Sequence, residues 1–172
     1  MLFTTSIVLS IFATLASASV LRERQPPPTG VWQSPFSGAI NTPTANQAIP
    51  FGAEFAFDYG ISDWCEPGYV PFNVYLTEGS EAPVFDNVTA SGTLFDGAYA
   101  YYFGEFVVAR FGLPQQGVPP PPTLTMPTVD ELNTTVGSYS TFYLAVVEAF
   151  EGCPGHIAVE YSLTSVPLSL TA

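Results

Sequence analysis

The chain has 172 residues, 47% of them hydrophobic and 15% aromatic, which is enough apolar material for one folded domain with a core. Fifteen Asp and Glu stand against three Arg and no Lys, so the formal net charge is -12. Because nucleic acids and anionic lipid surfaces are bound through basic surfaces, the composition excludes nucleic acid as a partner.

The first segment, residues 1–18, has the features of a signal peptide. Leu2 to Leu15 is largely apolar and leads into Ala16-Ser17-Ala18, which fits the small-x-small pattern before a cleavage site. Arg22-Glu23-Arg24 ends the apolar run before it reaches the roughly twenty residues that a membrane span needs. We therefore expect a secreted protein, extracellular or associated with a cell wall, without a membrane span. Residues 19–33 are expected to form a flexible lead-in or a propeptide.

Residues 34–172 predict a single all-β domain. Short aromatic or β-branched segments are separated by Gly, Pro and Asp, which is typical of strands and turns. Segments 54–59, 72–77 and 157–164 alternate apolar and polar side chains, as half-buried strands do. Segment 141–150 is apolar on both faces, and its Phe, Tyr and Val favour a central strand over a buried helical turn. About seven antiparallel strands predict an immunoglobulin-like β-sandwich.

Two features interrupt the strand pattern in the middle of the chain. Asp96-Gly97 lies between the strand-like segments 88–95 and 98–109 and predicts a β-hairpin, because both turn residues need positive φ. Residues 112–127 include four consecutive prolines, which donate no hydrogen bonds to a sheet. We expect this Pro-rich connection to run extended along the surface. Residues 130–132 fit one helical turn.

Cys65 and Cys153 are the two cysteines of the chain, and in an oxidising compartment such a pair more often bonds than stays free. A disulfide would close a loop of about 90 residues and stabilise the fold by roughly 4–5 kcal/mol. In a sandwich, the loops that hold these two residues project from the same end. Sequons at Asn87 and Asn133 predict N-glycosylation.

Several motifs resemble those of small secreted proteins common in mushroom-forming fungi. They are Phe36–Ile40, Ile49–Gly52, Phe55–Tyr59, Gly68-Tyr69, Val74–Leu76, Val146–Glu148 and Glu160–Thr164. The resemblance covers most of the chain after residue 33 and implies a secreted β-sandwich, with no activity attached. Pro43–Tyr59 is more loosely similar to the immunoglobulin-like domain of Ser/Thr-rich anchored fungal cell-wall proteins, which implies a role in glucan assembly. The sequence departs from those proteins in lacking a Ser/Thr-rich stalk.

No motif points to catalytic residues, a metal site or a cofactor. His156 is the single histidine, which excludes a multi-histidine zinc or copper site, and there is no Gly-x-Ser-x-Gly motif. Four acidic residues are expected at the end of the domain that holds the disulfide: Asp63, Glu66, Glu148 and Glu151. We interpret them as solvated loop carboxylates, with a glycosidase-like pair or a calcium site as alternatives.

Exposed aromatic side chains are the best candidates for binding, because sugar rings stack on flat aromatic faces. The predicted binding residues are Trp64 and Tyr69, in the loop with Cys65, and Trp32 near the start of the domain. The favoured function is a non-enzymatic interaction module that binds cell-wall polysaccharide or an extracellular protein. The alternatives are a small acid-active hydrolase that uses a loop carboxylate pair, and a structural wall or matrix component.

Overall fold

The computed structural model of this chain describes residues 30–132, 141–153 and 159–171. The predicted signal peptide, most of the lead-in, Asn133 and His156 lie outside these residues. Within them the chain forms ten strands and one four-residue helix, α1 (Val129–Leu132), so the prediction of an all-β chain is confirmed. None of the described helices has the length and apolar character to cross a membrane. The strands are β1 (Trp32–Gln33), β2 (Ala39–Thr42), β3 (Gln47–Pro50), β4 (Glu54–Ala56), β5 (Asp58–Gly60), β6 (Tyr69–Gly79), β7 (Tyr101–Ala109), β8 (Thr123–Thr125), β9 (Thr141–Glu151) and β10 (Val159–Thr171).

Six of these strands form the main sheet, with β9 at its centre. β9 pairs antiparallel with β10 on one side and with β6 on the other, which explains why its sequence is apolar on both faces. β7 pairs antiparallel with β6, whereas β1 and β3 both pair with β10 in parallel. The prediction of purely antiparallel strands is therefore wrong. Side chains alternate with the same period in parallel and in antiparallel strands, so the alternation carries no information on strand direction.

One face of the main sheet, the inner face, packs against two small sheets, β2–β5 and β4–β8. The alternation in segments 54–59 and 72–77 places their apolar residues in the core between these layers, as predicted. This core includes Phe55, Phe57, Tyr59, Phe72, Val74, Leu76, Leu124, Phe142, Leu144 and Val146. The opposite, outer face carries a smaller cluster around Tyr75, which Val88 and Leu94 cover.

The predicted hairpin over Asp96-Gly97 is not formed. The turn itself exists, since the N–H of Ala98 donates to the carbonyl of Phe95 and Gly97 adopts a φ of 89°. However, in segment 88–95 only Val88 and Leu94 form a bridge, because the residues between them make a turn closed by their own hydroxyl groups. Only the second half of the predicted hairpin becomes a strand, β7.

The Pro-rich connection and the end of the predicted lead-in both contribute backbone hydrogen bonds to the sheets. In the Pro-rich connection, the carbonyl of Val118 accepts the N–H of Val107 on β7, and residues 123–125 become β8. At the start of the described chain, Val31 is buried and β1 pairs with β10. The folded region therefore includes the last residues of the segment that the sequence indicates as a lead-in.

Candidate functional site

A disulfide joins Cys65 to Cys153, with Cα atoms 4.7 Å apart, which confirms the predicted pairing. It marks the end of the main sheet where β6 and β10 begin and β7 and β9 end. Segments 34–38, 61–68 and 110–114 also lie at this end. The N–H of Ser34 donates to the carbonyl of Tyr161, the indole N–H of Trp64 donates to Glu160, and the N–H of Arg110 donates to the carbonyl of Gly68. We call this region, formed by the three segments and the disulfide, the bridged end.

The carboxylate of Glu148 lies beneath the bridged end, on the inner face of β9, with 0% of the residue exposed. It accepts three hydrogen bonds: from the N–H of Gly38 at 3.0 Å, the hydroxyl of Tyr59 at 2.7 Å and the N–H of Ser62 at 2.9 Å. One carboxylate thus ties segments 34–38 and 61–68 to the main sheet. The prediction of a solvated loop carboxylate is wrong for Glu148. Because β9 continues to Glu151, Glu148 lies within the strand, and the alternation of side chains places it on the buried inner face.

A glycine is required at position 38 for this arrangement. A Cβ atom there would clash with the carbonyl oxygen of Gly60 and with the hydroxyl of Tyr59. Without a side chain, the backbone approaches closely enough for its N–H to reach Glu148, while its carbonyl accepts the hydroxyl of Thr164 at 3.2 Å. Segment 34–38 is therefore attached to β9 and to β10 through one residue.

A second buried glutamate, Glu160 on β10, lies beside Glu148 on the inner face. Ser162 is opposite Glu148 and Glu160 is opposite Phe150, so the two glutamates are diagonal neighbours in the register. Glu160 is fully buried and accepts the indole N–H of Trp64 at 2.7 Å. The sequence predicts a half-buried strand over 157–164, but segment 61–68 folds over the polar side of β10, and Glu160 and Ser162 are buried.

Burial perturbs the titration of Glu148 and Tyr59. It raises the pKa of Glu148, since the loss of solvation outweighs the hydrogen bonds and the nearby charge of Arg110, which lower the pKa. Burial next to the Glu148 carboxylate also raises the pKa of Tyr59. The Tyr59 hydroxyl therefore remains a hydrogen-bond donor to Glu148 throughout the physiological pH range.

We expect the contribution of Glu148 to the free energy of unfolding to rise as the pH is lowered from neutral towards the ordinary pKa of 4.5. The pKa of Glu148 in the folded chain lies above its ordinary value of 4.5. At pH values between the ordinary pKa and the folded pKa, the native state therefore binds more protons than the unfolded state. This stabilisation is complete below the ordinary pKa and is lost as the pH rises through the folded pKa. Urea titrations at several pH values measure it. The Glu148→Gln variant should show a shallower pH slope, and equal slopes in variant and wild type would contradict the assignment.

Large apolar side chains are exposed in the loops of the bridged end. Phe36 is 55% exposed, and its ring centroid lies 4.8 Å from that of Trp64, which is half-buried. Phe111 is 68% exposed and Leu113 is 41% exposed. We call these four residues the apolar tip. The Arg110 guanidinium lies next to them, pairs with Asp63 and stacks 5.1 Å from the centroid of the Phe111 ring.

Unfavourable backbone conformations concentrate at the bridged end. Four non-glycine residues of the described chain have positive φ, and three of them lie here: Cys65 at 59°, Glu66 at 42° and Phe111 at 55°. A bulky residue in this left-handed region is destabilised by about 1–2 kcal/mol. Phe111 and Gly112 are the central residues of a turn in which the N–H of Leu113 donates to the carbonyl of Arg110 at 2.9 Å, so the turn requires the positive φ. It does not require a phenylalanine there, and the exposed ring buries little surface in return. Strain of this kind is concentrated at binding and catalytic sites.

The three predicted binding residues have different positions. Trp64 belongs to the apolar tip, and Tyr69 begins β6 at the bridged end, where its hydroxyl donates to the carbonyl of Pro114 at 3.1 Å. Trp32 lies on β1, is half-buried and is the partner of Glu160 in the parallel pairing of β1 with β10. The sequence does not indicate Phe36 and Phe111 as binding residues, because the exposure of a loop side chain depends on the tertiary structure. Asn87 lies in a short 3₁₀ turn, Phe85–Asn87, away from these loops in sequence.

Cys65, Cys153 and Glu160 bring metal-ligating atom types within 4.8 Å of one another. Their sulfur atoms are bonded to each other, so they offer no thiolates, and the group does not fit a thiolate metal site. A cleft of about 440 Å³ lies elsewhere, beside β5 and Pro120–Pro122, and its one carboxylate is that of Asp58. A second cleft, of about 170 Å³, has Glu78 as its one carboxylate.

Comparison with known proteins gave no match: no family model, no curated protein and no solved structure is significantly similar to this chain.

Proposed function

We propose that this protein is a secreted, non-enzymatic interaction module that binds cell-wall polysaccharide through the apolar tip. The observation that carries the proposal is Phe111, a bulky aromatic residue that is 68% exposed and adopts a strained φ of 55°. The turn over Arg110–Leu113 needs a positive φ at this position but not a phenylalanine, and the exposed ring adds little to the core. A direct contact with a ligand gives both features a reason.

Covalent and polar contacts connect the loops of the bridged end to one another and to the main sheet. The disulfide attaches segment 61–68 to the residues after β9. The Glu148 carboxylate accepts hydrogen bonds from segments 34–38 and 61–68. Asp63 in segment 61–68 pairs with Arg110, which precedes Phe111 in the chain. Binding to a preformed surface loses less conformational entropy than binding to mobile loops. The costly burial of two carboxylates supports a binding surface that is ordered in advance.

A polysaccharide fits the residues of the apolar tip. Phe36 and Trp64 present neighbouring rings, and the Trp64 ring is oriented by its hydrogen bond to Glu160. Flat rings stack on the apolar faces of sugars, while the exposed carboxylates of Asp63 and Glu66 can accept hydrogen bonds from sugar hydroxyls. The net charge of -12 disfavours anionic polymers.

The hydrolase alternative has less support. Acid-base hydrolysis of a glycosidic bond needs two carboxylates with access to the substrate. Glu148 and Glu160 are fully buried and accept hydrogen bonds from the loops that cover them. Each of the two clefts described above is lined by a single carboxylate. The buried pair therefore supports a structural role in ordering the binding surface.

The wider proposal includes the origin and processing of the chain. Residues 1–18 act as a signal peptide, and the chain is one of the small secreted proteins that its motifs resemble. Asn87 and Asn133 carry glycans. The main sheet and the two small sheets enclose one core, which supports an immunoglobulin-like sandwich with two added parallel edge strands.

Phe111→Ala is expected to lower retention on insoluble wall polysaccharide at least tenfold, because it removes about 1.4 kcal/mol or more of stacking. The folded state should be unaffected, since the side chain is exposed. Co-sedimentation of the purified protein with wall fractions measures retention. Phe95→Ala is the matched control, an exposed phenylalanine beside the Asp96-Gly97 turn. Equal losses in both variants, or no retention of the wild type on any fraction, would contradict the proposal.

A further inference from the structure

The charge around the apolar tip indicates which polysaccharide it binds, and this step rests on the proposed function. Glu66 and Glu151 are exposed on either side of the disulfide, one residue after Cys65 and two residues before Cys153. Arg110 is the only Lys or Arg in the part of the chain that the structure describes. Its side chain is 15% exposed and paired with Asp63. The charge that the bridged end presents to solvent is therefore negative.

The aromatic residues of the apolar tip also favour a cation. The face of an aromatic ring attracts positive charge, most strongly in Trp. The tip shows such a contact within the molecule, since the guanidinium of Arg110 lies 5.1 Å from the centroid of the Phe111 ring. Phe36 and Trp64 offer further ring surface, and Trp64 lies two residues before Glu66 in the chain. A ligand that combines a sugar ring with a positive charge would use the rings and the carboxylates together.

The backbone at Glu66 supports a role for its carboxylate. This residue adopts a φ of 42°, a conformation in which Gly or Asn is the usual choice. A glutamate there is destabilising, and its exposed side chain gains little from the fold. As for Phe111, a contact with a ligand accounts for keeping an unfavourable residue at an exposed position of the same surface.

We infer that the ligand is a polysaccharide of amino sugars with free, protonated amines, held by the rings of the apolar tip and by the carboxylates of Glu66 and Glu151. A neutral sugar would stack on the rings but leave these carboxylates without a partner of opposite charge. The net charge of -12 also attracts a polycation at long range and speeds its association.

Two forms of one polymer test the inference. β-Linked glucosamine polymer with free amines and its fully N-acetylated form have the same ring and linkage, but acetylation removes the charge. Wild-type protein, in mildly acidic buffer, should bind the free-amine polymer at least about tenfold more tightly than the acetylated polymer. Raising the salt concentration from about 0.05 M to about 0.5 M should reduce this difference, because salt screens exposed charges.

Matched charge variants separate the site from the overall charge. The double variant Glu66→Gln/Glu151→Gln should lose about tenfold in affinity for the free-amine polymer and keep its affinity for the acetylated polymer. The control Glu54→Gln/Glu81→Gln removes the same charge from exposed positions outside the bridged end and should bind like the wild type. Equal losses in the two variants would overturn the inference.

The remaining outcomes distinguish this inference from the proposed function. Equal, salt-insensitive retention on both polymers would overturn the amine inference and leave polysaccharide binding intact. Retention on polylysine resin that equals retention on the free-amine polymer, and that Phe111→Ala does not reduce, would overturn it in favour of binding by charge alone. Absence of retention on both polymers and on every neutral wall polysaccharide would overturn the inference and the proposed function together.

Discussion

Replacing Glu148 by alanine is expected to lower the free energy of unfolding by about 3–4 kcal/mol. The variant removes the acceptor of three hydrogen bonds, from Gly38, Tyr59 and Ser62, and leaves these donors partly buried without a partner. It also leaves a cavity in the inner face of the main sheet. Urea denaturation at neutral pH measures the loss.

The matched control for this prediction is Glu151→Ala, three residues further along β9. Glu151 is exposed at the end of the strand, so its replacement should change stability by no more than about 0.5 kcal/mol. If Glu148→Ala lost less than about 1 kcal/mol, or no more than the control, the carboxylate would not be holding the two loop segments.

Removal of the disulfide is the second large effect that we expect. The double variant Cys65→Ala/Cys153→Ala should lose about 4–5 kcal/mol of stability, because the cross-link spans 88 residues and restricts the unfolded chain. Retention on polysaccharide should fall as well, since segment 61–68 carries Trp64 and would no longer be fixed. Denaturation in the absence of reductant measures the stability.

Wild-type protein treated with a reductant provides the control for the disulfide. The reduced protein has the same chain without the cross-link, so its free energy of unfolding should approach that of the double variant. A double variant within about 1 kcal/mol of the oxidised wild type would show that the disulfide does not stabilise the bridged end.

The long strands were predictable because they are long enough to show a pattern. Segments 72–77 and 141–150 became the central strands β6 and β9, and both extend beyond the predicted bounds. β1, β2, β3 and β8 have two to four residues each, too few to show alternation. Their positions follow from pairing with distant residues, as in the parallel contacts of β1 and β3 with β10. Local sequence carries no signal for such contacts.

The candidate site was predictable only in part. The cysteine pair and Trp64 identified the bridged end, because disulfide chemistry and residue type can be read directly from the sequence. The buried position of Glu148 was not anticipated, since a glutamate in an apolar strand is rarely fully buried unless it has partners, and these come from residues about 90–110 positions away. The importance of Phe111 depends on its φ and exposure, which are properties of the folded chain.

The parallel pairing of β1 and β3 with β10 has a consequence for how this protein is made. Strands near the start of the described chain complete their edge of the main sheet only by contacting the last strand. During synthesis, this edge therefore stays open until β10 has emerged. Contacts between such distant residues form slowly. The chain should thus acquire its native structure only after β10 has been synthesised, and the unpaired early strands would need protection from self-association until then.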